Sequence, residues 1–295
     1  MENYPEPARR LVAQMIEAAE AEPARAVTFQ GAPGANSHRA LIEHFEDALP
    51  YPCFSFEDAL DAVKEGRADH AMIPIENSLH GRVADIHFLL PESGLAIVGE
   101  HFLPIEPSLI GRAGHQIREV MSHPQALGQS RKWLRARGLR PVVYADTAAA
   151  VAAVAEMGDW SVAAIAPAFA AELYGLDLLF EGIADEPHNM TRFMVLAREQ
   201  RRPGRADDLM TTLTFEVKNV PAALYKAMGG FATNGVNMTK LESYQRGASF
   251  AATEFYADIE GAPGDPAVDR ALDELQFHSK WVNILGVYEQ ARKRG

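Results

Sequence analysis

The sequence predicts an α/β protein of two lobes, followed by a smaller α+β unit. From residue 26 onward, short β-rich runs alternate with helical patterns, which is typical of parallel strands joined by crossover helices. A charged stretch at residues 198–208, which contains Pro203 and Gly204 and lacks apolar periodicity, then interrupts this alternation. The segments beyond it follow the order β-α-β-β-α-β, which is the ferredoxin-like pattern.

The individual elements follow from spacing and from their flanking residues. Apolar residues at helical spacing predict an N-terminal helix at residues 9–21, which ends before Pro23 and lies in an extension of residues 1–24. The first lobe is predicted to contain strands 26–30, 53–55 and 70–75 and helices 35–47, 56–65 and 83–90. The second is predicted to contain strands 119–122, 141–144 and 162–165 and helices 126–137, 147–157 and 167–174, followed by a strand at 189–196. The last unit is predicted to contain strands 211–217, 236–244, 250–259 and 282–288 and helices 222–234 and 266–277.

Composition limits the possible functions. A chain of 295 residues with 47% hydrophobic content can form two or three compact units. Its net charge of -12 argues against a nucleic-acid surface, which needs clustered Lys and Arg. The same charge repels an anionic substrate, so such a substrate would have to be met by local donors.

Cysteine and hydropathy patterns indicate the compartment. Cys53 is the only cysteine, so the chain cannot form an internal disulfide and is compatible with a reducing environment. The first 24 residues lack the continuous apolar core of a signal peptide, and no segment is apolar for long enough to span a membrane. We therefore expect a cytoplasmic protein with no membrane partner.

Three motifs place polar groups where short apolar runs end. They are PIENS at residues 74–78, SHPQAL at 122–127 and NMTRF at 189–193. Because ligands of open α/β sheets bind at the carboxyl ends of strands, all three stand at positions suited to a binding site. Taken one at a time, they are better explained as a helix-capping turn, a capping or packing histidine and a polar strand start.

Together, in this order and spacing, the motifs resemble the prephenate dehydratase family, from about Val27 onward. The resemblance implies a periplasmic-binding-protein-like pair of lobes with the active site in the interlobe cleft, at residues 25–200. It also implies a linker at 201–209 and an ACT regulatory domain at 210–295, which is a ferredoxin-like amino-acid sensor. The family converts prephenate to phenylpyruvate, water and carbon dioxide, a step of phenylalanine biosynthesis that needs no cofactor.

The resemblance also assigns roles to residues. The threonine of the family's Thr-Arg-Phe motif is catalytic, so Thr191 is the expected donor to the leaving hydroxyl, although an alkyl hydroxyl is by itself a weak acid. Phe193 would provide an apolar wall, or only pack in the core. Arg192 alternates with Thr191 along the strand and is expected to point away. The other expected substrate contacts are Thr28, Ser37, Glu76, Asn77, Ser78, Ser122, Gln129 and Asn189.

The regulatory site is expected at the start of the first helix of the last unit, where phenylalanine would bind at a subunit interface of a homodimer or homotetramer. The expected contacts are Asn219, Val220, Pro221, Ala222, Ala223, Leu224, Glu242 and Ser243. Two positions depart from the family pattern. Ala222 stands where the family usually has Gly, and Tyr244-Gln245 stands where it usually has Arg-Pro. An ACT unit that only dimerises the enzyme is the alternative.

Two other functions remain open. An arogenate dehydratase would share these motifs, and a small-anion sensor with two lobes and an ACT unit would share the architecture. A metal site is not expected, because the ten histidines and one cysteine show no ligand spacing. No dinucleotide or Walker-type phosphate loop is present in the sequence either.

Overall fold

In the computed structural model, residues 4–200, 203, 208–245 and 254–294 are described. They divide into two compact units. Unit 1 contains residues 1–89 and 101–194, and unit 2 contains residues 90–100 and 195–295. The stretch predicted as a linker at 201–209 and the start of the strand predicted at 250–259 lie partly outside the described residues.

The first lobe of unit 1 has a sheet in which parallel strands are separated by helices. Its helices are α1 (Glu6–Ala21), α2 (Asn36–His44), α3 (Phe56–Lys64) and α4 (Ala84–Glu92), the last of which runs on into unit 2. Its strands are β1 (Ala26–Gln30), β2 (Leu49–Cys53), β3 (His70–Asn77) and the short β4 (Gly81–Arg82). Strand β1 pairs in parallel with both β2 and β3. The predicted alternation is therefore present, with the second strand four residues earlier than expected.

The second lobe has a mixed sheet. Its strands are β6 (Pro107–Gly111), β7 (Glu119–Ser122), β8 (Arg140–Val143), β9 (Val162–Pro167) and β10 (Asp177–Phe180). Strands β5 (Ala96–Pro104) and β11 (Met190–Ala197), which both contain residues of the two units, pair with each other in the first sheet. The order is β10-β6-β9-β7-β8, with β7 parallel to β8 and β9 and with β6 antiparallel to its neighbours. Strand β11 instead lies next to β3, in the first sheet.

The second lobe also departs from the predicted helices. Its helices are α5 (Pro124–Gln129), α6 (Arg131–Ala136), α7 (Thr147–Met157) and α8 (Ala170–Leu173). The single helix expected at 126–137 is wrong, because the chain breaks at Ser130 into α5 and α6. The break is stabilised by Asp185, whose carboxylate accepts from the amides of Lys132 and Trp133 at the start of α6.

The N-terminal helix α1 is part of unit 1. Its buried Ala8 belongs to a cluster with the apolar face of α7 and strand β9, and Tyr4 and Leu11 pack against that cluster. Helix α1 also contacts β2 of the first lobe. The helix expected from periodicity is therefore present, and it packs against both lobes.

Unit 2 has the element order expected from the sequence. After β12 (Leu209–Val217) come α9 (Ala223–Thr233), β13 (Met238–Tyr244), β14 (Glu254–Glu260), α10 (Pro266–His278) and β15 (Ser279–Glu289). The strands have the order β13-β14-β12-β15 with antiparallel pairing, and residues from α9, α10 and the strands form a buried cluster. This is a β-α-β-β-α-β layer of strands with two helices.

Candidate active site in unit 1

Loops from both lobes of unit 1 enclose a cavity of about 310 Å³. Its lining combines strand ends, helix starts and apolar residues, namely Gln30, Ala35, Asn36, Ser37, Pro74, Asn77, Val83, Ile105, His123, Gln125, Ala126, Gln129, Ala145, Asp146, Thr147, Thr191 and Phe193. Each of the three motifs contributes at least one of these residues. The volume is within the range of small-molecule sites.

Asn77 and Thr191 are bonded to each other at this cavity. The Asn77 amide nitrogen donates to Thr191 Oγ1 at 2.9 Å and to Asn189 Oδ1 at 2.7 Å. Thr191 is nine-tenths buried and Asn189 more so. The end of β3 and the start of β11, which are more than 100 residues apart in the chain, are therefore joined by one amide group.

The orientation of the Asn77 amide follows from its bonds. Its oxygen accepts from the backbone amides of Leu79 at 3.0 Å and His80 at 3.1 Å, both of which can only donate. The nitrogen must then face Thr191, whose oxygen is the acceptor in that bond. The hydroxyl proton of Thr191 is consequently available in another direction, and Thr191 lines the cavity.

Ser78 and Glu76 support this arrangement from outside the cavity lining. The Ser78 hydroxyl accepts from the Met190 amide at 2.9 Å, and the Ser78 amide donates to the Met190 carbonyl at 2.8 Å. Glu76 accepts from the buried Arg192 guanidinium at 3.0 Å. Arg192 thus points away from Thr191 and Phe193, as strand alternation predicts. Glu76 and Ser78, which were expected to contact the substrate, are not among the residues that line the cavity, and their bonds instead hold the motif at residues 189–193 in position.

The second lobe contributes Gln129, His123 and Gln125. His123 is the N-cap of α5 and accepts from the Gln125 amide through Nδ1 at 3.3 Å. Ser122 was expected to contact the substrate, and the structure places it elsewhere. Its side chain is fully buried and donates to the Ile165 carbonyl at 2.6 Å, so it stabilises the β7–β9 pair and does not line the cavity.

The segment that joins β1 to α2 contributes the start of α2. Ser37 and Asn36 line the cavity. No side chain caps the N-terminus of α2, so no capping side chain accepts a hydrogen bond from its first backbone amides, which lie at the cavity. Such helix ends attract carboxylates. Thr28, which was expected to contact the substrate, does not line the cavity. Its hydroxyl is buried and donates to the Ala59 carbonyl at 3.0 Å, on the side of β1 that packs against α3.

Asp146 is a cavity residue that the motifs did not reveal. It is the N-cap of α7, and its Oδ1 accepts from the Ala149 amide at 2.8 Å. Burial raises the pKa of the Asp146 carboxyl, and hydrogen bonds from the amides of Ala149, Ala32 and Ala148 oppose that rise. The sequence signal was an Asp directly before the helical run at 147, at the end of a strand.

The charge of the lining is unusual for a site that would bind an anion. Among the described residues that line the cavity, no lysine or arginine occurs, and Asp146 and His123 are the only titratable side chains. The remaining polar groups are amides and hydroxyls. Negative groups on a ligand would therefore be held by neutral donors and helix ends.

Unit 2 has a separate concave site. A pocket of about 250 Å³ is formed by residues 217–220 and 222–225 together with Phe255 of β14. Ala222 has φ 59° and ψ 22°, the left-handed conformation that glycine adopts at little cost. Six of the eight expected regulatory residues are thus in one turn. Ser243 is paired across the sheet with Phe255, and Glu242 forms an ion pair with Lys240.

Within the described residues, no group of three or more His, Cys, Asp or Glu side chains could hold a metal ion. None of the described helices has the length and apolar character needed to cross a bilayer.

An aligned hydroxyl among neutral donors, at the strand ends of two α/β lobes, is the kind of site that a carbon–oxygen lyase acting on an anionic substrate requires. Comparison with known proteins agrees with this class. A family model for prephenate dehydratase matches residues 27–201. The chain belongs to the prephenate dehydratase family.

Relatives and solved structures resemble the chain over most of its length. A bifunctional N-acyl-homoserine lactone acylase/prephenate dehydratase of Komagataeibacter europaeus is 48% identical, over 90% of this chain and 95% of that protein. Arogenate dehydratase/prephenate dehydratase 1 of Arabidopsis thaliana is 36% identical, over 89% of this chain and 71% of that protein. The crystal structure of prephenate dehydratase from Arthrobacter aurescens in complex with L-Phe is 32% identical, with a TM-score of 0.81 over 91% of both chains.

Proposed function

We propose that this chain is a lyase that converts prephenate to phenylpyruvate, water and carbon dioxide in the cavity of unit 1. The observation that carries the proposal is the hydrogen bond from Asn77 to Thr191 at 2.9 Å, which directs the threonine proton away from Asn77 at a cavity whose lining is rich in amide and hydroxyl donors. Family membership supports the same reaction.

The enzyme needs to do little more than assist the departure of the hydroxyl group and of carbon dioxide from the ring. The bond to the ring carboxylate breaks, its electron pair enters the ring, and the hydroxyl leaves with a proton as water while the ring becomes aromatic. Thr191 would donate a hydrogen bond to the leaving oxygen. Because Asn77 already donates to the Thr191 oxygen, the Thr191 hydroxyl is a stronger donor than an isolated alcohol.

The two carboxylates of prephenate would be held by neutral groups. Asn36 and Ser37 at the start of α2, with Gln129 and Gln125 of α5, provide amide and hydroxyl donors around the cavity. Phe193, Ile105 and Val83 form an apolar part of the lining, where a carboxylate is poorly solvated. Poor solvation favours loss of the charged group as neutral carbon dioxide.

Incubation of the purified protein with prephenate tests the proposal, with phenylpyruvate measured by its absorbance in alkali. We expect product formation with the wild type and almost none with Thr191→Ala at the same protein concentration. A small-anion sensor would bind prephenate without forming phenylpyruvate. Absence of turnover by a folded, prephenate-binding wild type would contradict the proposal.

Unit 2 is proposed to be an ACT domain that binds L-phenylalanine at the turn of residues 219–224 and joins a homo-oligomer. The pocket at this turn supports the assignment, as does the similarity to the Arthrobacter aurescens protein, which was crystallised in complex with L-Phe. Calorimetric titration with L-phenylalanine, alongside activity at millimolar-order concentrations, tests it. Binding together with inhibition is expected, and the absence of both would contradict regulation. Sedimentation with and without phenylalanine tests the oligomer.

The domain limits and the compartment also remain proposals. We propose an N-terminal segment of residues 1–24, a catalytic domain of 25–200, a linker of 201–209 and a regulatory domain of 210–295. Helix α1 of the N-terminal segment packs against β2 and α7 of the catalytic domain. A single cysteine supports a cytoplasmic location, which imaging of a tagged protein would test.

A second activity is favoured by one observation. The chain covers 95% of a relative that is named as both an N-acyl-homoserine lactone acylase and a prephenate dehydratase, so both named activities occur in a chain of this extent. We propose that this chain also hydrolyses N-acyl-homoserine lactones. Release of homoserine lactone from an N-acyl derivative, measured by mass spectrometry, would support it. Loss of the release in Thr191→Ala would place it in the same cavity, and no release would refute it.

A further inference from the structure

The N-terminal segment packs against both lobes of unit 1, although it lies outside residues 27–201, which the prephenate dehydratase model matches. Helix α1 contacts β2 of the first lobe and α7 of the second. Near the start of α1, the Glu6 amide donates to the Glu156 carboxylate of α7 at 3.3 Å. Near its end, Glu20 accepts from the Tyr51 hydroxyl of β2 at 3.2 Å. The two ends of α1 are therefore bonded to different lobes.

Tyr4, just before α1, lies where the two lobes meet. Its ring packs against a cluster of four buried alanines, and its centroid is 6.1 Å from that of the Phe54 ring, which follows β2. It also packs against the apolar cluster of the second lobe. Two members of the alanine cluster belong to the segment that joins β1 to α2 and two to the start of α7, namely Ala32, Ala35, Ala148 and Ala149. One side chain thus contacts both lobes.

The direct contact between the lobes at this point is close but small. A Cβ atom at Gly34 of the first lobe would lie 3.0 Å from the Cβ atom of Ala170 in α8. The Tyr174 hydroxyl, after α8, donates to the Pro33 carbonyl at 2.7 Å. Because alanine methyl groups bury little apolar surface, much of the apolar contact has to come from larger side chains. An aromatic ring buries far more, and Tyr4 supplies one from outside both lobes.

Both segments that Tyr4 contacts continue into the wall of the cavity. On the first lobe, Ala35 is followed by Asn36 and Ser37, and all three line the cavity. On the second lobe, residues 145–147 line the cavity and lead directly into α7. The separation of the lobes at the alanine cluster therefore sets the width of the cavity between these two segments.

The hydrogen bond that orients Thr191 does not depend on this separation. Asn77 and Thr191 belong to β3 and β11, which are neighbours in one sheet, so the bond between them does not cross from lobe to lobe. The proposed donors to the substrate carboxylates come from both lobes, with Ser37 in the first and Gln129 in the second. A wider junction would therefore weaken substrate binding and leave the orientation of Thr191 unchanged.

We propose that Tyr4 is a positioning residue whose ring holds the two lobes at the separation that substrate binding requires. The inference rests on the proposed function, because the substrate is taken to be prephenate. Without the ring, the junction loses apolar contact, and only a fraction of the molecules has the lobes at this separation. The apparent affinity falls by that fraction, so KM rises. The substrate-bound protein has the same geometry with or without the ring, so kcat does not change.

Steady-state kinetics with prephenate test the proposal on the wild type, Tyr4→Ser and Tyr4→Phe. We expect Tyr4→Ser to raise KM by about fivefold, the effect of losing one aromatic contact, and to leave kcat within about twofold of the wild type. Tyr4→Phe keeps the ring and should retain the wild-type KM. Trp160→Ser is the matched control, because Trp160 packs against the apolar cluster of the second lobe but, within the described part of the chain, not against the alanine cluster. It should leave KM unchanged.

Amide hydrogen exchange follows the junction without turnover. The amides of residues 31–37 and 145–149 should exchange faster in Tyr4→Ser than in the wild type, because a more open junction protects them less. Their exchange should be unchanged in Trp160→Ser. If Tyr4→Ser does not fold, Tyr4→Leu takes its place, with a smaller rise in KM, since leucine fills less of the junction than a phenol ring.

The results separate this proposal from the proposed function. A wild-type KM in Tyr4→Ser or Tyr4→Leu overturns the role of Tyr4, as does a lower kcat with an unchanged KM. An equal rise of KM in Tyr4→Phe or Trp160→Ser also overturns it, because the ring at the junction would then not be the cause. A wild type that converts no prephenate overturns the proposed function instead, and hydrogen exchange then decides. Equal exchange in the wild type and Tyr4→Ser would show that the ring does not hold the lobes.

Discussion

The cavity of unit 1 and the pocket of unit 2 are both small concave sites, but they are built in different ways. The cavity depends on side chains from distant segments, joined by bonds such as those from Asn77 to Thr191 and Asn189. The pocket is formed mainly by one continuous segment at residues 217–225, with Phe255 of β14, and the turn in this segment contains Ala222 in the left-handed conformation. Side-chain identity should therefore control the first site, and backbone conformation the second.

The largest effect is expected at Thr191. Replacing it with alanine removes the hydroxyl that faces the cavity and should lower kcat by on the order of 10²- to 10⁴-fold, the usual contribution of a positioned proton donor. Thr191→Ser keeps the hydroxyl and should retain a useful fraction of the activity. Steady-state kinetics with prephenate measure both. Equal kcat values for Thr191→Ala and the wild type would remove this residue from the mechanism.

The next effect concerns the bond that orients Thr191. Asn77→Asp keeps the oxygen that accepts from Leu79 and His80 but replaces the donating nitrogen, and it should lower kcat by about a hundredfold. Circular dichroism and the unfolding midpoint should remain close to the wild type, because the turn is retained. Wild-type kcat in this variant would mean that the Asn77 donor has no catalytic role.

A dependence of stability on pH is expected from His38, a buried residue of α2. This ring stacks on Phe29 and accepts from the Gly34 amide, and burial lowers its pKa to about 4. The unfolded chain, with the ordinary value, binds a proton that the folded chain excludes. The free energy of unfolding should therefore fall by about 2 kcal/mol as the pH drops from 7 to 5.

Urea unfolding of the wild type and His38→Asn at these two pH values measures the His38 contribution. The asparagine oxygen can still accept from Gly34 but does not titrate, so the pH dependence should be smaller in the variant. Identical dependence in both proteins would assign the effect to other groups.

The smallest effect is expected in the turn of unit 2. Ala222→Gly removes the steric cost of the left-handed conformation and should raise the free energy of unfolding by about 1 kcal/mol. Ala232→Gly, at an exposed position of α9 with ordinary helical geometry, is the matched control and should lower it by a similar amount. Thermal unfolding checks both changes. A loss of stability in Ala222→Gly would contradict the strain argument.

The same contrast explains how far the sequence could predict the structure. Alternation of short runs predicted most of the strands and helices, because each of these has its own local pattern, but strands β4, β5, β6 and β10 were not predicted. The break at Ser130 was missed, since it depends on Asp185, more than 50 residues further along the chain. A bond of this range has no local sequence signal.

The predicted site was partly right for a related reason. Ser37, Asn77, Gln129, Thr191 and Phe193 line the cavity, as a position at strand ends and helix starts suggests. Thr28 and Ser122 are in similar positions but face the interior, and their hydroxyls bond to backbone carbonyls. Strands β1 and β7 are buried on both faces, so periodicity could not show which side of each strand would face the ligand.

The lack of basic side chains among the described lining residues of the cavity has one further consequence. With a net charge of -12 and no basic side chain among the described lining residues, the protein meets an anionic substrate by short-range donors, against the long-range field. Added electrolyte weakens the field and leaves hydrogen bonds at contact distance almost unchanged. The affinity of the unit 1 cavity for an anionic substrate should therefore increase at high salt concentration. Enzymes that attract anions with arginine or lysine lose affinity under the same conditions.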